Sequence, residues 1–139
     1  VYTRYYREAR KEGVYFCQEN VSRCHSRSPE FIRYMSENCG DDVRFTLDIK
    51  QAHRACFDPF SFIDATKGKL KLVHCNDYNE SCDCLLPFRG SFDLSLFRNR
   101  LSENGYNGMF TIEVYSQNYS DRSEIIDSYN KLNRIFERK

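Results

Sequence analysis

Short apolar runs alternate with helical stripes along the chain. "GVYFCQE" (13–19) is a compact apolar run and reads as a strand. Ser28-Pro29-Glu30 then opens a helix, with Ser28 as N-cap and Pro29 at the first helical position. Phe31, Ile32 and Met35 form its apolar stripe, and Cys39-Gly40 ends it. "VRFTLD" (43–48) is the next strand, and Asp58-Pro59 caps a helix through "FSFIDATKG". "LKLVHC" (70–75) is a third strand. Asp93 opens "DLSLFRNRLSENG", where Leu94, Phe97 and Leu101 fall at helical spacing and Gly105 is the stop. "MFTIEV" (109–114) is the fourth strand. Asp121 caps a last helix with Ile125, Ile126, Tyr129, Leu132 and Phe136 on one face, and residues 3–12 read as a helix preceding everything. Four βα units in succession argue for an α/β fold with a parallel sheet and outer helices. "NDYNESCDCLLPFRGS" (76–91) is long for a connection in a compact domain, and loops of that length tend to carry function.

Composition narrows the class. The 139 residues suffice for a single domain, 1–139, and 15% aromatic residues supply core material. A formal charge of +1 gives no broad nucleic-acid footprint, so no nucleic-acid partner is expected. No apolar run approaches the roughly 20 residues of a membrane span, and "VYTRYYREARKEG" is too charged for a signal peptide. Seven cysteines cannot all pair within one chain, which favours reduced thiols and a cytoplasmic location. Cys82-x-Cys84 lacks the two-residue spacing of zinc ribbons and redox motifs.

The ends of the four strands carry the chemistry. They read "FCQEN", "FTLDI", "LVHCND" and "FTIEV", so each delivers one ligand-type residue: Glu19, Asp48, His74 and Glu113. Strand C-termini share one face in parallel α/β sheets and barrels, and active sites lie there. Three ionised carboxylates in one place need a cation, and a divalent metal supplies it. Each residue also has a plainer use. An Asp at a strand end caps helices, a buried His hydrogen-bonds a neighbour, and Glu113 can pair with Lys or Arg.

"ENV" (19–21), "LDIKQAH" (47–53), "KLVHCND" (71–77), "LPFRGSFDL" (86–94) and "GYNGMFTIEVY" (105–115), in this order and spacing, resemble the sugar phosphate isomerase/epimerase family. These are the xylose isomerase-like TIM barrels, of the AP endonuclease family 2 superfamily. The resemblance runs from about residue 12 to 136. It implies a parallel (β/α) half-barrel, four βα units corresponding to the second half of a TIM barrel. It also implies one divalent ion (Mn, Mg, Co or Zn) on Glu19, Asp48, His74 and Glu113. The implied reaction is isomerisation or epimerisation of a small-molecule sugar or sugar phosphate through a metal-stabilised enediolate, with Glu19 and Glu113 as acid and base.

Several positions depart from the family pattern. Gln51 stands where many relatives have a substrate-holding His, and His53 falls on the helix side. Glu80 stands where ketose epimerases place an Arg. Arg89 is the remaining candidate for a phosphate or carboxylate, although Phe88 replaces the usual Gly of that motif. Asp77 is expected to orient His74 or touch substrate. Few His residues and a near-neutral charge do not suit the multi-zinc endonuclease branch. The family's barrels have about 250 residues or more. Outer helices cover one face of the sheet, so Phe45, Leu47, Leu70, Leu72, Phe110 and Ile112 should leave apolar surface on the other. A homodimer, or a missing N-terminal half, is expected to cover it. The alternative is a catalytically inert half-barrel remnant that keeps the fold and the metal.

Overall fold

The computed structural model describes residues 2–136. Helix α1 (Tyr2–Lys11) leads into strand β1 (Cys17–Glu19), followed by α2 (Pro29–Asn38) and β2 (Arg44–Asp48). Two short helices, α3 (Ile49–Arg54) and α4 (Pro59–Ala65), separate β2 from β3 (Leu70–Cys75). Helix α5 (Leu94–Glu103), β4 (Met109–Ile112) and α6 (Arg122–Phe136) complete the order. The four strands form one sheet in sequence order, every neighbouring pair parallel. This is the α/β half-barrel pattern.

The start signals work as their chemistry requires. Ser28 Oγ accepts from Phe31 N at 3.1 Å, Asp58 Oδ1 from Phe60 N at 3.0 Å, and Asp93 Oδ1 from Leu96 N at 2.8 Å. Each satisfies an amide that the helix itself cannot. Phe45, Leu47, Val73 and Cys75 point to the helix side and are buried with Ile32, Met35, Phe62, Phe97 and Leu101.

The outer strands are shorter than the apolar runs suggested. Pairing of β1 with β2 begins at Cys17↔Arg44, so Val14, Tyr15 and Phe16 have no ladder partner and stay 56%, 45% and 47% exposed. A further correction concerns α6: Leu132 and Ser128 are buried, but Ile126 and Tyr129 are 57% and 54% exposed. The helix is held by α5, by Pro87 of the 76–93 loop through Ser128 and by Phe110 of β4 through Phe136, and these contacts leave the Ile126–Tyr129 side uncovered.

The inner face also differs from expectation. A register shift between Phe45↔Leu70 and Thr46↔Leu72 makes Lys71 an extra residue and turns Leu70 to the helix side. Phe45, Leu47 and Leu70 lie in the core, and Phe110 and Ile112 pack against it. Of the six apolar residues expected to serve both faces, only Leu72 shares the inner face with Thr46, Asp48 and His74. That face is polar, with cations low and carboxylates high. At its lower end Arg10, Arg44 and Lys71 lie 4.5, 5.5 and 4.9 Å from the centre of the Tyr15 ring. All seven cysteines are free thiols, and among the described residues no helix is long and apolar enough to cross a membrane.

Candidate metal centre

Asp48 is the pivot. It ends central strand β2 and caps α3: Oδ1 accepts from Gln51 N at 3.2 Å and from Asn76 Nδ2 at 3.0 Å. Its backbone is clamped by Asn20, whose Oδ1 accepts from Asp48 N at 2.7 Å and whose Nδ2 donates to Asp48 O at 3.0 Å. The second oxygen, Oδ2, is buried and has no hydrogen-bond partner. One oxygen therefore serves the helix cap, and the other is left to face the cluster.

His74 enters beside it because Asp48↔His74 is a register pair of β2 and β3. Glu19 ends edge strand β1, and Glu113 follows Ile112 of edge strand β4, its N–H still donating to Cys75 O at 3.1 Å. His74 Nδ1 lies 2.6 Å from Glu113 Oε2 and 3.7 Å from both Glu19 Oε1 and Asp48 Oδ2. One donor atom from each of the four residues falls within 4.8 Å of the others. Opposed donors about 2.1 Å from a cation stand about 4.2 Å apart, so this is the scale of one coordination shell.

The donors fit a divalent cation. Asp48 Oδ2, His74 Nδ1 and Glu113 Oε2 are all buried without a hydrogen-bond partner. They face one another and Lys50 at 2.6 to 3.7 Å without an aligned hydrogen bond, and buried polar atoms so placed are costly unless something binds them. Charge supports the same reading. Lys50, 1% exposed, sits 3.4 Å from Asp48 Oδ2 and 3.0 Å from Glu113 Oε1. Three carboxylates against one ammonium leave two negative charges, which a divalent ion cancels when the imidazole is neutral. Without a cation the ring takes its place. Asp48 first, then Glu19 and Glu113, hold the His74 imidazolium against the pull of burial, raising its pKa to about 10. Burial pushes Asp48 up, but His74, Asn76, Lys50 and the Gln51 N–H outweigh it and hold its pKa at about 2.

The residues assigned to substrate scatter. Gln51 lines a cleft of about 560 Å³ with Arg23, Arg54, Asp83 and Tyr115, and its Oε1 accepts from Ser22 N at 3.0 Å. Asp77 is occupied elsewhere. Its Oδ1 accepts from Tyr78 N at 2.8 Å and Phe92 N at 3.0 Å, and its Oδ2 from Gly90 N at 2.9 Å. The residue ties the 76–93 loop together and does not hydrogen-bond His74. Arg89 is half exposed and lies 3.5 Å from Glu124. His53 stacks on Tyr78 with ring centres 3.8 Å apart, a structural use. Phe88, where the family motif has Gly, has φ +68°, a conformation that favours Gly.

Sequence reasoning passed over Lys50, Asn20 and Asn76. The two asparagines each follow a ligand-bearing strand, and Lys50 is two residues from Asp48. The available signal was a polar side chain in each otherwise apolar strand-end motif. Among curated proteins, none matches this chain. The family model of the xylose isomerase-like TIM barrel does match, over residues 3–135. With its parallel βα units and its four strand-end donors, the chain belongs to the xylose isomerase-like TIM barrel family.

Proposed function

We propose that this protein is a divalent-metal-dependent isomerase or epimerase of a sugar or sugar phosphate. The observation that carries the reading is the convergence of Glu19, Asp48, His74 and Glu113, with three of their donor atoms buried and in no aligned hydrogen bond. These four residues would hold the ion. A bound divalent cation would supply Lewis-acid stabilisation to a substrate oxygen that gains charge as a neighbouring carbon loses its proton. Asp48 and His74, on the central strands, fix the centre of the site. Glu19 and Glu113 flank it from opposite edges of the sheet, where one takes the proton and the other returns it. Gln51, three residues after Asp48, lines a cleft with Arg54 and Tyr115 whose polar groups suit a polyhydroxylated ligand.

The second reading is an inert half-barrel that keeps the site. The open sheet favours it for the isolated chain. In either reading the four strands act as one domain, half of an eight-stranded barrel, completed by a second copy or by an N-terminal half. The free thiols suit a reducing compartment such as the cytoplasm.

The test is proton exchange. Protein loaded with Mn²⁺ is incubated in D₂O with a panel of ketoses, aldoses and their phosphates, and carbon-bound deuterium is read by NMR. Incorporation that needs the metal and is lost in Glu19→Gln supports the enzyme. Metal binding without exchange, in the completed assembly as well as the lone chain, supports the inert reading. His74→Ala should weaken Mn²⁺ binding by more than about 100-fold in calorimetry, since removing a ligand costs more than disturbing its support.

A further inference from the structure

Glu113 is the most exposed member of the cluster. It lies just past the end of an outer strand, and its side chain is 40% exposed. Packing does not fix a carboxylate in that position. Its Oε2 faces His74 Nδ1 at 2.6 Å and has no hydrogen-bond partner. Its Oε1 is held by one group, Lys50 Nζ, at 3.0 Å.

Lys50 is itself held firmly. It is the second residue of α3, whose N-terminus is capped by Asp48. Its side chain is 1% exposed, and Nζ sits 5.0 Å from the centre of the Tyr115 ring. The cap that orients Asp48 thus also places the ammonium. Glu19, the matching residue on the opposite edge, forms no ion pair with any Lys or Arg among the described residues. Lys50 thus holds one oxygen of Glu113, and among the described residues no Lys or Arg places such a hold on Glu19.

We propose that Lys50 is a positioning residue that divides the Glu113 carboxylate, holding Oε1 and presenting Oε2 alone to the cation. This rests on the metal reading of the site. A free glutamate on an edge can chelate a cation through both oxygens or swing away from it. The ammonium removes both options, and it makes the two edge glutamates unequal: Glu113 is a fixed ligand and Glu19 a movable one.

Mn²⁺ alone is the probe. Crystals of the Mn²⁺-loaded wild type should show Glu113 bound through a single oxygen, with Lys50 Nζ still on the other. In Lys50→Met, Glu113 should chelate through both oxygens or leave the ion, and the zero-field splitting in the Mn²⁺ EPR spectrum should change. Lys50→Arg, which keeps the charge, should restore the wild-type spectrum. A Lys50→Met protein with the wild-type spectrum and Glu113 pose, even if its melting point falls, overturns the proposal. So does detachment of Lys50 from Glu113 in the loaded wild type, a result that does not depend on the variant folding. A wild type that takes up no Mn²⁺ overturns the metal reading itself, and the proposal with it.

Discussion

Single side chains in this site serve two partners at once. Asp48 gives one oxygen to the helix behind it and one to the cluster in front. His74 Nδ1 serves either a proton or a cation, so metal binding should release about one proton near neutral pH. The same competition sets the pH response of the metal-free protein. The His74 pKa in the folded state is raised to about 10 from an ordinary 6.5 by Asp48, Glu19 and Glu113. A raised folded-state value stabilises fully below pH 6.5, and that contribution is lost as pH rises through about 10. The urea midpoint of EDTA-treated protein should therefore fall between about pH 6.5 and pH 10, and His74→Gln should flatten that fall. A midpoint that does not fall over this range would show that the ring is not held as an imidazolium. These two roles were only half legible in the sequence. The type and position of Asp48 were visible, but the assignment of its two oxygens depends on Gln51, Asn76 and His74 arriving from three directions.

At the level of elements, the loop between β3 and α5 is the most instructive. Its length suggested a functional loop, and Asp77 a substrate contact. In the structure the Asp77 backbone pairs with Leu85 in both directions, at 2.9 and 2.6 Å, and its carboxylate gathers three amides. Gly90 passes so close that an added Cβ would collide with Tyr78 O and Asp77 Oδ1. Gly90→Ala should cost about 2 kcal/mol or more, because backbone and carboxylate must both move. Amide exchange should accelerate across residues 76–93 more than in the strands; unchanged protection there would show that the loop yields without loss. The helix caps were readable because an N-cap is local, needing one side chain and an amide two or three residues on. The Asp77 web was not, because its partners lie up to 15 residues away.

At the largest scale the described residues form an open four-stranded sheet. Its sheet has two outer strands, and Val14, Phe16 and Met109 are 56%, 47% and 71% exposed on or beside them. Those edges carry more exposed apolar surface than the polar inner face, and a partner, if the chain has one, would cover them. A second copy closing a barrel in parallel would bring two carboxylate clusters together at one end and two sets of Arg10, Arg44 and Lys71 at the other. Divalent ions bound there would neutralise the first repulsion. Light scattering at micromolar concentration should therefore show dimer with Mn²⁺ and less of it with EDTA. A monomer in both conditions would leave an N-terminal half as the completing element.

What the sequence determined by itself was periodic and local. The strand order, the helices other than α3, the caps at Ser28, Asp58 and Asp93, and the four strand-end residues that converge follow from side-chain spacing and hydrogen bonds that span a few residues. What the tertiary structure decided was long-range. One register shift at Lys71 settled which face Leu70 takes, because side chains alternate with a period of two and a single extra residue reverses them. The place of Lys50 between Asp48 and Glu113 was decided there too. That contact spans 63 residues of chain, and no local pattern encodes which buried ammonium will meet which carboxylate across a sheet.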